Sequence, residues 1–281
     1  MKKIVILGIF FSGYNDVWVD FINLFKMYWK DCPYDFYIVA DTNSCGNFMG
    51  MNVIDAGQNA EYSKKIQTAM QLINADYYLI LLEDFFFSKK INNEHINSIV
   101  DYIENNNLSY YVMPMKEFKG NYKGRRISKY LRKISPNAEY TLSCQPAFWK
   151  RDFIEKCLGK ANYNAWVFEG IYCKSKYAHT KVFLDKCIAD ISNPLGILHG
   201  IQQGKLIPET IRKLKSFNYT LTNERPSFTK KEYSKIRRKS IIKSILPYWA
   251  QKIVRKILPH NSVIENHLDK IKEIMASLDI E

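Results

Sequence analysis

Runs of apolar residues separated by polar, turn-forming residues divide the first half of the chain into alternating strands and helices. Apolar runs are typical of buried strands and predict strands at residues 4–11, 35–41 and 77–82, and a shorter strand is predicted around residues 52–55. Apolar residues recur at helical spacing in two other stretches, residues 18–29 and 61–74. The predicted order is therefore β-α-β-β-α-β, which is typical of a nucleotide-binding α/β half with a mostly parallel sheet.

The second half of the chain gives weaker patterns. Helices are predicted at residues 91–104, 150–158 and 265–278, with a further helix that begins at Asn164. Strands are predicted at residues 110–114, 140–149 and 197–200. Residues 116–133 are basic and contain glycine, so this segment fits either a mobile loop over a site or a solvated surface loop.

The most apolar strand, residues 77–82, runs directly into two adjacent acids, Glu83 and Asp84. Open α/β sheets bind their ligands at the carboxyl ends of their strands. Two carboxylates between Leu82 and Phe85, with no glycine, proline or asparagine beside them, therefore favour a functional site. The alternative is that the two acids only end a strand and begin a solvated turn.

Composition narrows the classes of protein. The chain has 281 residues, 47% of them hydrophobic, which is enough for a large core and excludes global disorder. The formal net charge of +13 indicates an anionic partner: a phosphorylated substrate, an anionic membrane surface or nucleic acid. The cysteines are scattered without zinc spacing, and the short apolar start lacks a signal-peptide cleavage site. We therefore expect a cytoplasmic protein with reduced thiols.

The C-terminal part of the chain differs from the rest in composition. Between Lys230 and Leu258, basic residues alternate with Ile, Leu, Val and Trp, and Glu232 is the sole acid. Basic amphipathic helices of this kind lie in membrane interfaces, although a helix packed on the main domain with a solvated basic face would look the same. The predicted domains are residues 1–225 and 226–281, the second of them either peripheral on the inner membrane face or packed on the first.

Common nucleotide-binding fingerprints are absent from the sequence. Neither G-x-G-x-x-G after the first strand nor G-x-x-x-x-G-K-[ST] occurs. Paired acids at a strand end instead suit Mg²⁺ or Mn²⁺, which bind carboxylate and water oxygens together with substrate phosphates. Such a metal stabilises the charge that develops on a departing nucleoside diphosphate.

Five short segments before the basic C-terminal region carry a family resemblance. They are Tyr62-Ser63-Lys64-Lys65, residues 81–86, residues 143–150, Trp166-Val167-Phe168-Glu169 and residues 200–205. In order and spacing they resemble GT-A glycosyltransferases, especially bacterial enzymes of capsule and O-antigen polysaccharide synthesis, with residues 81–86 at the D-x-D-type motif. Here the two acids are adjacent rather than alternate, and adjacent strand residues face opposite sides. Asp84 is therefore the predicted metal ligand, and Glu83 a helper that orients a neighbour or the sugar.

The resemblance implies a GT-A fold and roles for individual residues. The candidates are, for the nucleobase and ribose, Phe10, Phe11, Ser12 and Asp41; for the diphosphate, Lys64 and Lys205; for the metal, Asp84, Glu83 and His199; and for the donor sugar and acceptor, Gln145 and Trp149. For the two lysines the ordinary alternative is a surface charge, and for His199 it is a structural histidine.

Sugar transfer with inversion needs one general base. Glu169 is the predicted base, because neighbouring Trp166 and Phe168 would raise its pKa by desolvation. The alternative is an acid that only stabilises a helix N-terminus. Asp152 is the reserve candidate for the base.

The sequence thus predicts a glycosyltransferase that moves a sugar from a nucleotide sugar, most simply UDP-linked, to a lipid-linked saccharide at the inner membrane face. Two alternatives stay open. A nucleic-acid-binding protein would explain the net charge, but the acids at strand ends disfavour it. A sugar nucleotidyltransferase would normally carry a glycine-rich, basic loop after the first strand, and residues 10–16 lack one.

Overall fold

The computed structural model describes residues 3–42, 46–122, 124–135, 141–172, 184–236 and 265–278. Helices lie on both faces of a nine-stranded sheet, which confirms the predicted α/β class. The strands are β1 (Ile4–Phe10), β2 (Asp35–Ala40), β3 (Gly46–Phe48), β4 (Met51–Asp55), β5 (Tyr77–Leu82), β6 (Phe85–Phe87), β7 (Tyr110–Val112), β8 (Leu131–Lys133), β9 (Ala147–Lys150), β10 (Cys187–Asp190), β11 (Ile197–His199), β12 (Ile201–Gln202) and β13 (Lys205–Leu206). The helices are α1 (Asn15–Tyr28), α2 (Tyr62–Leu72), α3 (Asn93–Asn105), α4 (Arg151–Leu158), α5 (Ala165–Tyr172), α6 (Pro208–Ser216) and α7 (Leu268–Ser277). Short 3₁₀ helices cover Ser12–Tyr14, Lys116–Asn121, Leu184–Lys186 and Glu265–His267.

The central sheet has the strand order β3-β4-β2-β1-β5-β9-β7-β10-β8. Six strands run in one direction, while β3, β8 and β9 run against them. β1 lies between β2 and β5 and is parallel to both, with Phe10 opposite Ala40 and Ile9 opposite Leu82. This register brings the residues that follow β1, β2 and β5 to one edge of the sheet.

Both faces of the sheet are covered by apolar side chains. All seven residues of β1 are buried, as its unbroken apolar run predicts. One face packs against α1 and α3, where the rings of Phe21, Phe25 and Phe87 contact one another. The other face packs against α2, α4, α5 and α7. Ile271 and Ile274 of α7 are buried in this second core, as predicted for an ordinary packing helix.

A buried carboxylate fixes the segment that follows α6. Asp20 on α1 is fully buried and accepts hydrogen bonds of 2.7–3.2 Å from Tyr219 Oη, Thr222 N and Oγ1, and Asn223 N and Nδ2. A buried charge is stable only when donors surround it. Asp20 therefore holds residues 219–223 against α1, and we call this contact the Asp20 anchor.

The predicted elements of the first half are confirmed within a few residues, whereas the second half differs in several places. The segment 140–149, predicted as a strand that runs into a turn, has the reverse order, because residues 141–146 contain bends and β9 begins only at Ala147. Residues 116–133, predicted as a loop, contain a 3₁₀ helix and the strand β8. β10 and α6 add a strand and a helix that no pattern predicted.

Most of the basic C-terminal stretch, residues 237–264, lies outside the described residues. Its assignment to a membrane interface and the domain boundary near residue 225 therefore stay predictions. Before it, residues 230–236 are helical, and Thr229 and Glu232 exchange hydrogen bonds of 2.7 and 3.2 Å at the start of this helix. Within the described ranges no helix is both long and apolar enough to cross a bilayer. The cysteines described there as free thiols are Cys32, Cys144, Cys157 and Cys187.

Candidate functional site

The carboxyl ends of β2 and β5 carry three acids at one edge of the sheet. Asp41 follows β2, and Glu83 and Asp84 follow β5. We call Asp41, Glu83 and Asp84 the acid edge. It lies where open α/β sheets bind their ligands, because β1, β2 and β5 are parallel and end at the same level.

Asp41 is surrounded by hydrogen-bond donors. Lys65 Nζ lies 2.5 Å from Asp41 Oδ1, and both side chains are almost fully buried. Ser12 donates twice to this carboxylate, from its N–H at 3.0 Å and from its hydroxyl at 2.7 Å. Burial alone would raise the pKa of Asp41, but the hydrogen bonds from Lys65 and Ser12 outweigh burial and lower it. Asp41 is therefore an ionised group in a fixed position.

Glu83 has the opposite environment. Its side chain is buried, and its Oε1 accepts one long hydrogen bond, of 3.3 Å, from Phe11 N–H. Burial raises the pKa of Glu83 to about 8, and the charge of the adjacent Asp84 acts in the same direction. At neutral pH the Glu83 carboxyl is therefore mostly protonated and can donate a hydrogen bond.

Asp84 faces a histidine. His199 Nε2, at the end of β11, lies 3.4 Å from Asp84 Oδ2, and the two side chains keep 19% and 16% of their surface exposed. Gly200 N–H donates to the Asp84 carbonyl at 2.8 Å, and a Cβ at Gly200 would lie only 2.9 Å from that oxygen. The chain passes this close to Asp84 because residue 200 is a glycine.

Glu169 joins the site from α5. Cys144 N–H donates to Glu169 Oε1 at 3.0 Å. Burial raises the pKa of Glu169, while the Cys144 N–H and the charge of His199 oppose this rise. His199 thus contacts Asp84 and also acts electrostatically on Glu169.

Two residues near the acid edge, Tyr14 and Arg225, were missed by the sequence analysis. Arg225 binds both carboxylate oxygens of Asp16, at 2.6 and 2.8 Å, and its guanidinium lies 4.0 Å from the centre of the Tyr14 ring. Burial raises the pKa of Tyr14; Arg225 opposes the rise, and the charges of Asp84 and Glu83 add to it. No local pattern could identify Arg225, because 209 residues separate it from Asp16 and the Asp20 anchor sets its position.

The two phenylalanines predicted for the nucleobase differ in exposure. Phe11 is 51% exposed, with Lys65 Nζ 5.4 Å from the centre of its ring, so this ring can stack on a ligand. Phe10 is fully buried against Trp18 and Phe21. Its carbonyl accepts a hydrogen bond from Lys65 at 2.7 Å, but its side chain belongs to the core and cannot line a pocket.

Trp149 and Asp152 lie towards the opposite end of the sheet, which corrects both assignments. β9 runs antiparallel to β5 and places Trp149 opposite Tyr78, near the start of β5. The Trp149 ring is buried against Tyr110, at 4.2 Å between centroids. Asp152 follows at the start of α4, where it is exposed and pairs with Lys150 at 3.2 Å. The cause of both errors is the strand predicted at residues 140–149, since the real strand leads away from the acid edge.

The remaining predicted donor-site residues, two lysines and a glutamine, have other partners or other surroundings. Lys64 is half-buried next to Lys65, and it is Lys65 that contacts the acid edge. Lys205 Nζ lies 3.2 Å from Glu232 Oε1, in an exposed ion pair. The Gln145 side chain is half-buried and accepts a backbone hydrogen bond at 3.0 Å. A role for these three residues in binding a donor stays a prediction.

The acid edge offers one carboxylate to a divalent metal. Asp84 is partly exposed beside His199, and a single carboxylate with waters and substrate phosphates is sufficient for Mg²⁺. Glu83 fits such an ion less well than Asp84, because its side chain is buried and its Oε1 accepts a hydrogen bond from Phe11 N–H. Among the described residues, no three His, Cys, Asp or Glu side chains are grouped as ligands of one ion. A metal here would therefore depend on the oxygens of a bound phosphate.

Comparisons with known proteins give remote likenesses in structure. The protein-family models and the curated proteins contain no match to this chain. Similar solved structures include a UDP-glucose pyrophosphorylase bound to UDP-glucose (12% identity, 68% of this chain and 90% of that one, TM-score 0.46). A second is S. aureus TarS 1-349 with UDP-GlcNAc (13% identity, 73% of this chain and 60% of that one, TM-score 0.45). A third is glucosyl-3-phosphoglycerate synthase from Mycobacterium tuberculosis with Mn²⁺, UDP and glucosyl-3-phosphoglycerate (10% identity, 72% and 73%, TM-score 0.43). These TM-scores lie below 0.5, so neither the fold nor the function proposed below is derived from the likenesses.

Proposed function

We propose that this protein is a glycosyltransferase that uses a nucleotide sugar, UDP-linked, as its donor. The observation that carries the proposal is that His199 pairs with the partly exposed Asp84 and also acts on the half-buried Glu169, whose pKa is raised. The first group suits a diphosphate with its metal ion. The second suits a general base.

The nucleoside would bind across the carboxyl ends of β1 and β2. Phe11 would stack on the base, because its ring is exposed next to the acid edge. Asp41 would accept a hydrogen bond from the base or ribose, since a carboxylate has about four acceptor positions and Ser12 and Lys65 use only part of them. The Asp41–Lys65 ion pair would hold this part of the site in place without a ligand.

The diphosphate would lie beside Asp84. Asp84 and His199 would hold Mn²⁺ or Mg²⁺, and the bound ion would offset the negative charge that develops on the departing diphosphate. Glu83, protonated at neutral pH, adds no further negative charge here and can donate a hydrogen bond to the donor sugar.

Sugar transfer would proceed by a single displacement with inversion. The acceptor hydroxyl attacks the anomeric carbon of the donor, and the bond from that carbon to the diphosphate oxygen breaks. Glu169 takes the hydroxyl proton, and its raised pKa makes it a stronger base than an exposed glutamate. The products are the new glycosidic bond and a free nucleoside diphosphate.

The acceptor we propose is a lipid-linked saccharide of surface polysaccharide synthesis, of the capsule or O-antigen type. The net charge of +13 and the basic stretch at residues 230–258 support work at an anionic membrane surface. The enzyme would therefore act in the cytoplasm, at the inner face of the membrane.

The proposal is tested in two steps with the full chain. A thermal-shift screen of nucleotide sugars, with and without Mn²⁺, identifies the donor. Release of nucleoside diphosphate from that donor is then measured for the wild type, Asp84→Asn, Glu169→Gln and Asp152→Asn. We expect the first two substitutions to lower turnover by about 100-fold or more, because a positioned general base alone contributes about 10²–10⁴.

Asp152→Asn is the matched control, since it also removes one carboxylate but lies exposed at the start of α4. Wild-type-like turnover in Asp84→Asn or Glu169→Gln would remove that residue from the site. Synthesis of a nucleotide sugar from a nucleoside triphosphate and a sugar phosphate would favour the nucleotidyltransferase alternative. Stabilisation by oligonucleotides but by no nucleotide sugar would favour a nucleic-acid-binding protein.

A further inference from the structure

A strongly basic hairpin lies at the edge of the central sheet. Residues 125–133, which we call the basic hairpin, contain three arginines, two lysines and no acid. Arg126 and Arg132 form an isolated antiparallel bridge, so two like charges stand directly opposite each other. Such a pair is destabilising unless an anion lies nearby. The hairpin therefore has a built-in preference for a negatively charged partner.

Backbone oxygens hold two of these guanidinium groups together. Arg126 Nε and Arg132 Nη1 both donate to the carbonyl of Ser128, at 3.1 and 2.9 Å. Ile127 N–H and Ser128 N–H both donate to the Leu131 carbonyl, at 3.0 and 3.3 Å, which closes the turn between them. The concentration of positive charge is thus fixed by the local fold.

The turn of the hairpin also exposes apolar surface. Ile127 and Tyr130 are both 44% exposed, and Lys129 Nζ lies 5.1 Å from the centre of the Tyr130 ring. A large aliphatic and an aromatic side chain among basic residues is the composition of a membrane-interface contact. A surface for single-stranded nucleic acid would instead use several aromatic rings on which successive bases stack, and Tyr130 is the sole aromatic residue among residues 125–133.

Three lysines interact electrostatically near the end of β10, the strand that pairs with the hairpin. Ile191 N–H donates to the Tyr130 carbonyl at 3.0 Å, and Asp190 pairs with Leu131 in the ladder between β10 and β8. Burial lowers the pKa of Lys89. The positive charges of Lys213 on α6 and Lys119 on a 3₁₀ helix lower it further, and Asp190 opposes the shift.

One aromatic contact joins the 3₁₀ helix that carries Lys119 to His199. Phe118, next to Lys119 on the 3₁₀ helix, packs edge-on against His199 with 5.6 Å between ring centroids. A membrane bound by the basic hairpin would therefore lie near the side of the site that carries His199.

We propose that the basic hairpin binds an anionic phospholipid surface, with its cations at the headgroups and Ile127 and Tyr130 in the interface. This contact is separate from the basic C-terminal stretch, and it does not require the chain to transfer a sugar. If the proposed reaction is also correct, the hairpin presents the site to a lipid-linked acceptor.

Vesicle co-sedimentation of the full chain tests the proposal. Vesicles of phosphatidylcholine, with and without phosphatidylglycerol, are mixed with the wild type, Arg125→Gln/Lys129→Gln or Ile127→Ser/Tyr130→Ser. Each basic residue at an anionic surface is worth about fivefold in partition coefficient, so the first variant should bind roughly 30-fold more weakly. The second should bind roughly tenfold more weakly and keep the salt dependence of the wild type. Raising the salt from about 0.1 M to about 1 M, which shortens the screening length from about 10 to about 3 Å, should release the wild type.

Lys156→Gln/Lys160→Gln is the matched control, because it removes two exposed cations on and next to α4. It should bind vesicles as the wild type does, and a melting temperature equal to that of the wild type should show that each variant is folded.

Equal losses in the control and the hairpin variants would assign binding to net charge and overturn the proposal. Unchanged vesicle binding in both hairpin variants would overturn the proposal, and the role of the cations would then be to prevent other strands from pairing with this sheet edge. If the hairpin variants lose binding to an oligonucleotide but still bind vesicles, the partner of the basic hairpin is nucleic acid and not a lipid surface. Nucleoside diphosphate release with a soluble acceptor should be equal in all variants, so a failure of this proposal is distinct from a failure of the proposed reaction.

Discussion

Asp41 and Glu83 are acids on either side of β1 that differ in burial, and the fold shifts their pKa values in opposite directions. Asp41 accepts three short contacts, from the ammonium of Lys65 and from the N–H and hydroxyl of Ser12, and its pKa is lowered. Glu83 accepts one long hydrogen bond, from Phe11 N–H, and its pKa is raised to about 8. The number and charge of the donors, rather than burial alone, decide which acid is ionised.

This difference separates a fixed part of the site from a part that can change its charge. Asp41 resembles the Asp20 anchor, where five donors also surround one carboxylate. Such acids position the chain. Glu83 accepts from Phe11 N–H and Glu169 from Cys144 N–H, and both have raised pKa values. A carboxyl with a raised pKa exchanges its proton closer to neutral pH than an ordinary glutamate does, which suits chemistry on a ligand.

The largest expected effect comes from removing the partner of Asp41. Lys65→Met takes away the ammonium and leaves a buried carboxylate with only Ser12 as donor. Breaking a buried ion pair in this way costs about 3–5 kcal/mol in the free energy of unfolding. Urea denaturation followed by fluorescence measures the loss.

Lys64→Met is the matched control, because Lys64 is the half-buried neighbour on the same helix. Its free energy of unfolding should stay within about 0.5 kcal/mol of the wild type. The double variant Lys65→Met/Asp41→Asn should recover part of the loss, since no unpaired charge remains. Equal stability of Lys65→Met and the wild type would mean that Asp41 is not held as an ionised group.

Glu83→Gln should show the opposite behaviour, and its effect should depend on pH. The folded pKa of Glu83, about 8, lies above the ordinary glutamate value of 4.5, so the folded protein binds the extra proton between these values. The free energy of unfolding of the wild type should therefore fall as the pH rises from about 5 to about 8, by on the order of 3 kcal/mol. Glu83→Gln lacks this decrease. Denaturation in a chelating buffer across this pH range gives the two curves.

Glu94→Gln is the control for the loss of one carboxylate, because Glu94 is exposed on α3. Its stability should follow the wild-type curve over the same pH range. A Glu83→Gln curve parallel to that of the wild type would show that Glu83 titrates normally, and the contrast with Asp41 would disappear.

The Asp20 anchor provides a smaller test of the donor-rich type of acid. Asn223→Ala removes the Nδ2 hydrogen bond of 2.7 Å and leaves four donors. Hydrogen bonds to charged groups contribute about 1.5–3 kcal/mol, so we expect a loss of about 2 kcal/mol in the free energy of unfolding. Asn105→Ala, at an exposed position near the end of α3, should change it by less than about 0.5 kcal/mol. An equally small change in both variants would mean that the remaining donors replace the lost one.

The first half of the fold could be predicted from the sequence because its signals are local. Unbroken apolar runs gave β1, β2 and β5, and their parallel order located the acid edge. The structure also gives Glu83 and Asp84 different partners, although both acids lie in the turn between β5 and β6 and strand alternation does not apply to them.

The rest could not be predicted because it depends on contacts between distant parts of the chain. The direction of β9 is set by its pairing with β5 and β7. This direction places Trp149 and Asp152 away from the site. The choice between Lys64 and Lys65 depends on which face of α2 meets β1, and one residue decides it. Arg225 depends on the Asp20 anchor, in which partners lie about 200 positions apart along the chain.

The smallest expected effect is a shift in the pH profile of turnover, caused by the action of His199 on Glu169. A general base acts only when deprotonated, so turnover should rise with pH through the pKa of Glu169, which burial places above the value of an ordinary glutamate. The positive charge of His199 partly offsets that rise. His199→Gln removes this charge and also that of any metal ion that His199 holds, so the acidic limb of the profile should move to higher pH even though turnover also falls. The position of the limb, rather than the rate, separates this electrostatic role from a merely structural one. A limb that stays in place, or moves to lower pH, would mean that His199 does not act on Glu169 and that the two lie in separate sites.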